Sequence, residues 1–285
     1  MKILFIYRHP NMGFSIGKVF KPIEQEMRKY GGVDVIYLPI PNYKPRGLWK
    51  NIRCAIKAVK HTKYDVVHIT GTEHYLLPFL KRQNTIVTVH DLGFYTNKPL
   101  GIRSVWKYIG WIWSLKYAKK ITFISDKSKE EASRFIHFRT NQVCIIYNPV
   151  GKEYIYYNHN FNMEKPCILH IGTKSNKNLV NSILALKNLP CHFRIVGKLS
   201  QEILVLLNEN KIDYSNAFNL TDEEILKEYL NCDIVSFPSL YEGFGMPIIE
   251  GQSVGRVVVT SNLSPMKEIA GNSAILVDPK NIESI

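Results

Sequence analysis

Short apolar runs alternate with amphipathic stretches along this chain, and the alternation stops once and then restarts. In the first half, strand-like runs fall at 2–7, 33–38, 66–69, 85–89, 121–124 and 143–146, with helical patterns at 18–30, 48–61, 103–118 and 127–135 between them. Residues 151–166, GKEYIYYNHNFNMEKP, are polar, Asn-rich and aperiodic, and read as a connection. The pattern resumes with strands at 167–171, 192–196, 234–237, 257–260 and 274–277 and helices at 178–186, 201–208, 221–230, 247–253 and 265–270. Strands that alternate with helices make parallel sheets covered on both faces. The expected fold class is therefore α/β, as two Rossmann-like domains facing a cleft. The expected boundaries are 1–150 for the first domain, 151–165 for the linker and 166–285 for the second. Ligands in such sheets bind at the carboxyl ends of the strands.

Bulk properties narrow the function classes. Hydrophobic residues make up 45% and charged residues 21%, enough apolar content for a sizeable core. No run of 18 apolar residues occurs, so no transmembrane helix is expected. The opening MKILFIYRHP reads as a buried strand rather than a signal peptide, because Arg8 and His9 follow too soon. Cys54, Cys144, Cys167, Cys191 and Cys232 are odd in number and scattered, which argues for a reducing, cytoplasmic setting and against a disulfide framework or zinc site. The histidines show no HExxH spacing, and no metal is expected. Residues 1–150 carry 25 Lys and Arg against 9 Asp and Glu, whereas residues 151–285 carry 12 against 15. That asymmetry implies two domains with different partners, the basic one facing nucleic acid, an anionic membrane or an acidic substrate.

The segment from Glu242 to Glu250, EGFGMPIIE, carries the chemistry. It follows a buried strand and reads as a glycine loop running into a helix from about Pro247, since proline suits a first helical turn. Glycines let a backbone approach a ligand, and the N–H groups of a helix start attract anions. A diphosphate flanked by two carboxylates that hold hydroxyls describes a nucleotide-sugar site. Competing nucleotide motifs fail. Gly13 and Gly17 are separated by three residues, not four, and Val19 stands where a P-loop needs Ser or Thr. No GxGxxG occurs, and no RNP, KH or zinc-finger pattern supports nucleic-acid binding.

Two stretches of the basic half combine cations with apolar residues. Lys50, Arg53, Lys57 and Lys60 recur at helical spacing opposite Ile52, Ile56 and Val59, and Trp106, Trp111 and Trp113 stand near Lys107, Lys116, Lys119 and Lys120. Such helices either dock on anionic bilayers or present a solvated lysine face over a buried aromatic core.

The motifs HIGTKSNKN (170–178), FRIVG (193–197), the stretch 233–250, TSN (260–262) and EIAG (268–271) follow in an order that resembles the donor domain of glycosyltransferase family 4, which has the GT-B fold. DVVHITG (65–71), TVHD (88–91), FIS (123–125) and IYNP (146–149) resemble its acceptor domain, so the likeness spans nearly the whole chain. The resemblance implies that Glu250 holds the ribose, that Glu242 contacts the donor sugar near the reacting carbon, and that the amides of Gly243, Phe244 and Gly245 bind the diphosphate. It implies Lys177 as the phosphate cation. The family often has Arg just after the glycine of this turn. Here Thr173 follows Gly172, and Lys174 is the nearest base, a point charge rather than a fork. His90, at a strand's carboxyl end, would hydrogen-bond the sugar. Gly13 would let the first strand-to-helix loop approach the phosphates, and base choice is expected to rest on contacts around Gly197 to Leu199 and near Tyr214.

The expected activity is retaining, metal-independent transfer of a sugar from a UDP- or GDP-sugar to a hydroxyl of a saccharide or lipid-linked acceptor, in surface polysaccharide, lipopolysaccharide or glycolipid synthesis. The donor is a substrate and no cofactor is expected. Peripheral contact with the inner face of an anionic membrane goes with the basic domain. A sugar-nucleotide epimerase of similar fold and a non-catalytic nucleotide-sugar-binding module are the alternatives. Family members usually continue past a segment like 276–285 into closing helices, which are expected to be missing here.

Overall fold

The computed structural model describes residues 1–12, 15–41, 44–92, 105 and 108–285. Two compact units divide the chain, Met1–Pro149 and Val150–Ile285. In the first, strands β1 (Lys2–Tyr7), β2 (Gly32–Tyr37), β3 (Val66–Ile69), β4 (Thr85–Val89), β5 (Lys120–Phe123) and β6 (Val143–Ile145) form one parallel sheet in the order β2-β1-β3-β4-β5-β6. In the second, β7 (Cys167–Ile171), β8 (His192–Val196), β9 (Tyr214–Ala217), β10 (Ile234–Phe237), β11 (Val257–Ser261) and β12 (Ile275–Val277) form another, in the order β12-β11-β10-β7-β8-β9. Both sheets are doubly wound, so the α/β, Rossmann-like class holds for each unit. The strand order reverses between β1 and β3 in one and between β7 and β10 in the other. Those reversal points open a crevice at the carboxyl ends of the strands, where ligands sit in this architecture.

The core strands are apolar on both sides because helices cover both faces. Leu4, Ile6, Val67, Ile69, Val87, Val89, Ile121 and Phe123 are fully buried in the first unit. Leu169, Phe193, Ile195, Val235 and Phe237 do the same in the second. The expected strand at 274–277 and its neighbours appear within a residue or two of their predicted ends. β9 was not foreseen. Its sequence YSNA has little apolar signal, and it is a half-buried edge strand held by parallel pairing to β8. Asn216 adds side-chain bonds to the carbonyls of Ile195 (2.9 Å) and Gly197 (2.8 Å).

The helical pattern at 103–118 lies partly outside the described residues. From Tyr108 on, it is a π turn (Tyr108–Ile112) followed by a 3-10 turn (Trp113–Tyr117). The Ser114 hydroxyl donates to the Gly110 carbonyl at 2.7 Å, a local bond that competes with regular helical pairing. Trp111 packs on Tyr75 with ring centroids 5.3 Å apart, and Trp113 packs edge-on to Tyr117 at 5.2 Å. These two tryptophans are partly buried, and Trp106 and Lys107 lie outside the described residues. In the helix Pro45–Lys60, Ile52 and Ala55 face the core, but Ile56 stands at the rim and is 38% exposed. Residues 48, 51, 52, 55 and 59 define the inner stripe, and at 100° per residue position 56 falls beyond its centre.

The stretch 151–166 is fastened to the second unit. Tyr154 is buried against Tyr229. Asp233, buried where β10 begins, accepts from His159 Nε2 (2.9 Å), from the Asn162 amide (2.9 Å) and from the Cys167 amide (2.7 Å). Burial alone would raise the Asp233 pKa, but these donors outweigh it and leave the carboxyl below its ordinary value.

Candidate functional site

The second unit assembles most of the predicted site at its reversal point. β7 is followed by Gly172, whose φ of +98° only glycine adopts readily. A Cβ there would meet Lys177 side-chain atoms at 2.9–3.3 Å, so the missing side chain is what allows the lysine to fold back across the turn. The chain then makes a 3-10 turn, Ser175–Lys177, and Asn178 follows in the left-handed region at φ +63°. Asn178 is buried, and its Nδ2 donates to the carbonyls of Pro238 (3.0 Å) and Pro279 (2.7 Å), which ties this turn to the segments that follow β10 and β12. The Leu240 amide completes the tie by donating to the Asn176 carbonyl at 2.8 Å.

Within this frame Lys177 Nζ reaches Glu242 Oε1 at 2.8 Å, with both side chains at most one-fifth exposed. Asn176 Nδ2 donates to the same oxygen at 3.1 Å and to the Tyr241 carbonyl at 2.9 Å. The ammonium also lies 4.5 Å above the centre of the Phe237 ring, a cation–π contact. Residues 65 positions apart in sequence thus meet across β7 and β10. Lys174 is exposed at the start of the same turn, and its carbonyl accepts from the Lys177 amide at 2.8 Å. Gly197 follows β8 at φ +144°, and a Cβ on it would meet Thr173 Cγ2 at 2.7 Å.

The helix Met246–Ser253 begins one residue before the predicted Pro247. Gly245 is its cap at φ +118°, and Pro247 stands in the first turn. Gly251 lets the helix lie on the sheet, since a Cβ would meet Val235 Cγ2 at 2.9 Å and Val258 Cγ2 at 3.2 Å. Ile248 points into that contact and is fully buried. Glu250 turns off this face. Its Oε2 accepts from the hydroxyl of Tyr229 at 2.5 Å. Tyr229 gave no signal in the sequence beyond its place in an amphipathic helix. Asn176 and Phe237 were likewise missed as partners of the lysine and the carboxylate, because contacts between distant loops leave no periodicity.

His90 belongs to the first unit. It follows β4, and its Nε2 meets the Thr70 carbonyl at 2.8 Å, where β3 has just ended beside the reversal point. Burial lowers its pKa, more than the Thr70 carbonyl and Asp91 raise it. The imidazole is neutral at neutral pH, with its proton on Nε2 and its acceptor lone pair on Nδ1. Gly13 lies outside the described residues. Among the described residues no group of three or more His, Cys, Asp or Glu is placed to hold a metal ion.

Residues 153–285 match the family model for glycosyl transferases group 1, and residues 18–154 match that for Glycosyltransferase Family 4. The chain belongs to the group 1, family 4 glycosyltransferases. It is similar to the O-antigen chain mannosyltransferase B of Escherichia coli, 26% identical over 258 residues that cover 80% of this chain and 65% of the relative. The chain thus spans just under two-thirds of the length of the first curated relatives it matches, 65% and 64%. Its fold is similar to that of sucrose-phosphate synthase from Thermosynechococcus elongatus, at a TM-score of 0.80 and 16% identity, covering 100% of this chain and 87% of the other. It is also similar to that of Anabaena HepE in complex with UDP and glucose, at 0.73 and 14%, with the same coverage. The two Rossmann-like units are those of the GT-B fold class.

Proposed function

We propose that this family 4 chain transfers a sugar from a nucleoside diphosphate sugar to a hydroxyl of a saccharide or lipid-linked acceptor in surface polysaccharide or lipopolysaccharide synthesis. The observation that carries the reading is the Lys177–Glu242 pair at the β7/β10 reversal point, beside the glycine-capped helix Met246–Ser253. Phosphate charge suits the ammonium of Lys177 and the amides of Gly243, Phe244 and Gly245 at the helix start. Glu250 takes the ribose hydroxyls and Glu242 the sugar hydroxyls.

In the reaction the bond from the anomeric carbon to the phosphate oxygen breaks, and a bond from that carbon to the acceptor oxygen forms. The leaving nucleoside diphosphate keeps the electron pair. Lys177 and the loop amides stabilise the charge that grows there, in place before the reaction begins. The acceptor proton goes to the departing phosphate, and the anomeric configuration is retained. His90, neutral, accepts a hydroxyl hydrogen bond at Nδ1. The relatives whose names state an activity are transferases, which favours transfer over epimerisation.

The first unit takes the acceptor and rests on anionic lipid at the cytoplasmic face of the membrane. The outer face of the helix Pro45–Lys60 supports this: Trp49, 54% exposed, and Ile56 stand among Arg46, Lys50, Arg53, Lys57 and Lys60, and the helix has no acidic residue. Among the described residues no helix is long and apolar enough to cross a membrane.

Incubation with radiolabelled UDP- and GDP-sugars and an undecaprenyl-diphosphate saccharide tests the reading. Label moving into the lipid fraction supports it. An isomerised donor, or an intact one with every acceptor offered, refutes it.

A further inference from the structure

Tyr229 stands in the last turn of the helix Asp222–Asn231 and has no exposed surface. Its hydroxyl donates to Glu250 Oε2, and its ring packs edge-on against Tyr154 with centroids 5.6 Å apart. The backbone beneath it is clamped by Arg256, which is itself 5% exposed. Arg256 Nε donates to the Tyr229 carbonyl (3.1 Å) and Nη2 to that of Leu230 (2.9 Å), while Nη1 donates to those of Val254 (3.1 Å) and Tyr157 (3.0 Å). One guanidinium therefore joins the ends of the helices that carry Tyr229 and Glu250, and ties both to the stretch that enters the unit.

The chemistry of the pair is one-directional. Burial, then the charge of Glu250, holds the phenol proton far above the ordinary tyrosine range, so Tyr229 acts as a donor. A hydrogen bond to a carboxylate is short and strong, and a buried donor on a clamped backbone selects one rotamer of a side chain that would otherwise have several. One O–H at Oε2 does not exhaust the acceptor capacity of a carboxylate, which offers about four lone-pair sites.

We propose that Tyr229 is a positioning residue for the nucleotide ribose: by holding Glu250 in one orientation it sets how strongly the site prefers a ribonucleoside diphosphate over its 2′-deoxy analogue. The inference rests on the assignment of Glu250 to the ribose. Arg256 supports the geometry from behind, and Tyr229 itself touches no substrate.

Calorimetric titration of the full chain with UDP, GDP and their 2′-deoxy forms tests it, using wild type, Tyr229→Phe, Glu250→Gln and the double variant. Tyr229→Phe should weaken the preferred ribonucleotide about tenfold, as expected for losing a bond to a charged group, and leave its deoxy analogue nearly unchanged. The double variant should bind no worse than Glu250→Gln. The ratio of the two affinities cancels the folded fraction, so partial unfolding of a variant cannot imitate the result. A Tyr229→Phe protein that keeps the wild-type ratio overturns the inference and leaves the donor site standing. A wild type that binds nucleotide without preferring ribose overturns the role of Glu250 and this inference with it. A wild type that binds neither nucleotide overturns the donor site as well.

Discussion

Lys177 Nζ lies 2.8 Å from Glu242 Oε1, so the proposed phosphate cation and the proposed sugar carboxylate form one ion pair. A diphosphate entering this site must compete with Glu242 for the ammonium. Glu242→Gln should therefore leave UDP or GDP affinity unchanged or raise it a few-fold, while transfer falls by about 100-fold or more. Lys177→Met should weaken nucleotide binding by about 10- to 100-fold, the scale of a lost bond between charged groups. Calorimetry and a transfer assay on the two variants check the contrast. Equal losses of binding in both would contradict it.

Gly172 should be irreplaceable for a conformational and a steric reason at once. Gly172→Ala places a side chain at φ +98° and drives a Cβ into Lys177. The backbone strain alone costs about 1–3 kcal/mol. Chemical denaturation should show a loss of that size, and nucleotide affinity should fall as it does in Lys177→Met.

Acid should destabilise this protein from about pH 6.5 downwards, well before carboxylates protonate. Burial is the main cause that holds His68 down to about 3 and His74 and His170 down to about 4, with the charge of Lys177 contributing at His170. Each ring is neutral when folded, whereas the unfolded chain protonates it near pH 6.5. Their stabilising contribution is complete above that value and shrinks as pH falls toward the native values. Each contributes a slope of about 1.4 kcal/mol per pH unit inside its window. Urea unfolding between pH 7.5 and 4.5 measures the slope, and His170→Leu should flatten it by about one proton.

The helix Pro45–Lys60 should account for binding to anionic vesicles. The wild-type chain should float with phosphatidylglycerol vesicles at low salt and not with neutral ones. Trp49→Ser with Ile56→Ser should weaken flotation about tenfold, and Arg53→Glu with Lys57→Glu should abolish it, with circular dichroism unchanged. Full flotation of the charge-reversed protein would rule this face out.

The alternation of apolar runs was sufficient for two doubly wound parallel sheets, because strands buried on both faces and helices buried on one have different periods. Local chemistry was legible too. A Thr followed three residues later by Glu ahead of an apolar run is a helix-start signature, and Thr221 and Glu224 form that capping box, with the Glu224 amide donating to Thr221 Oγ1 at 3.2 Å and the Thr221 amide to Glu224 Oε2 at 2.7 Å. The glycines and Pro247 of EGFGMPIIE marked a loop-to-helix start to within one residue.

Sequence by itself therefore determined the fold class, the family and the loop that carries Glu242 and Glu250, since each depends on residues close together in the chain. Tertiary structure decided which side chains meet. It paired Glu242 with Lys177 and Asn176, paired Glu250 with Tyr229, fastened residues 151–166 to the second unit and turned Ile56 outward. These are contacts between elements brought together by the strand order, and the order in which parallel strands assemble leaves no local pattern to read.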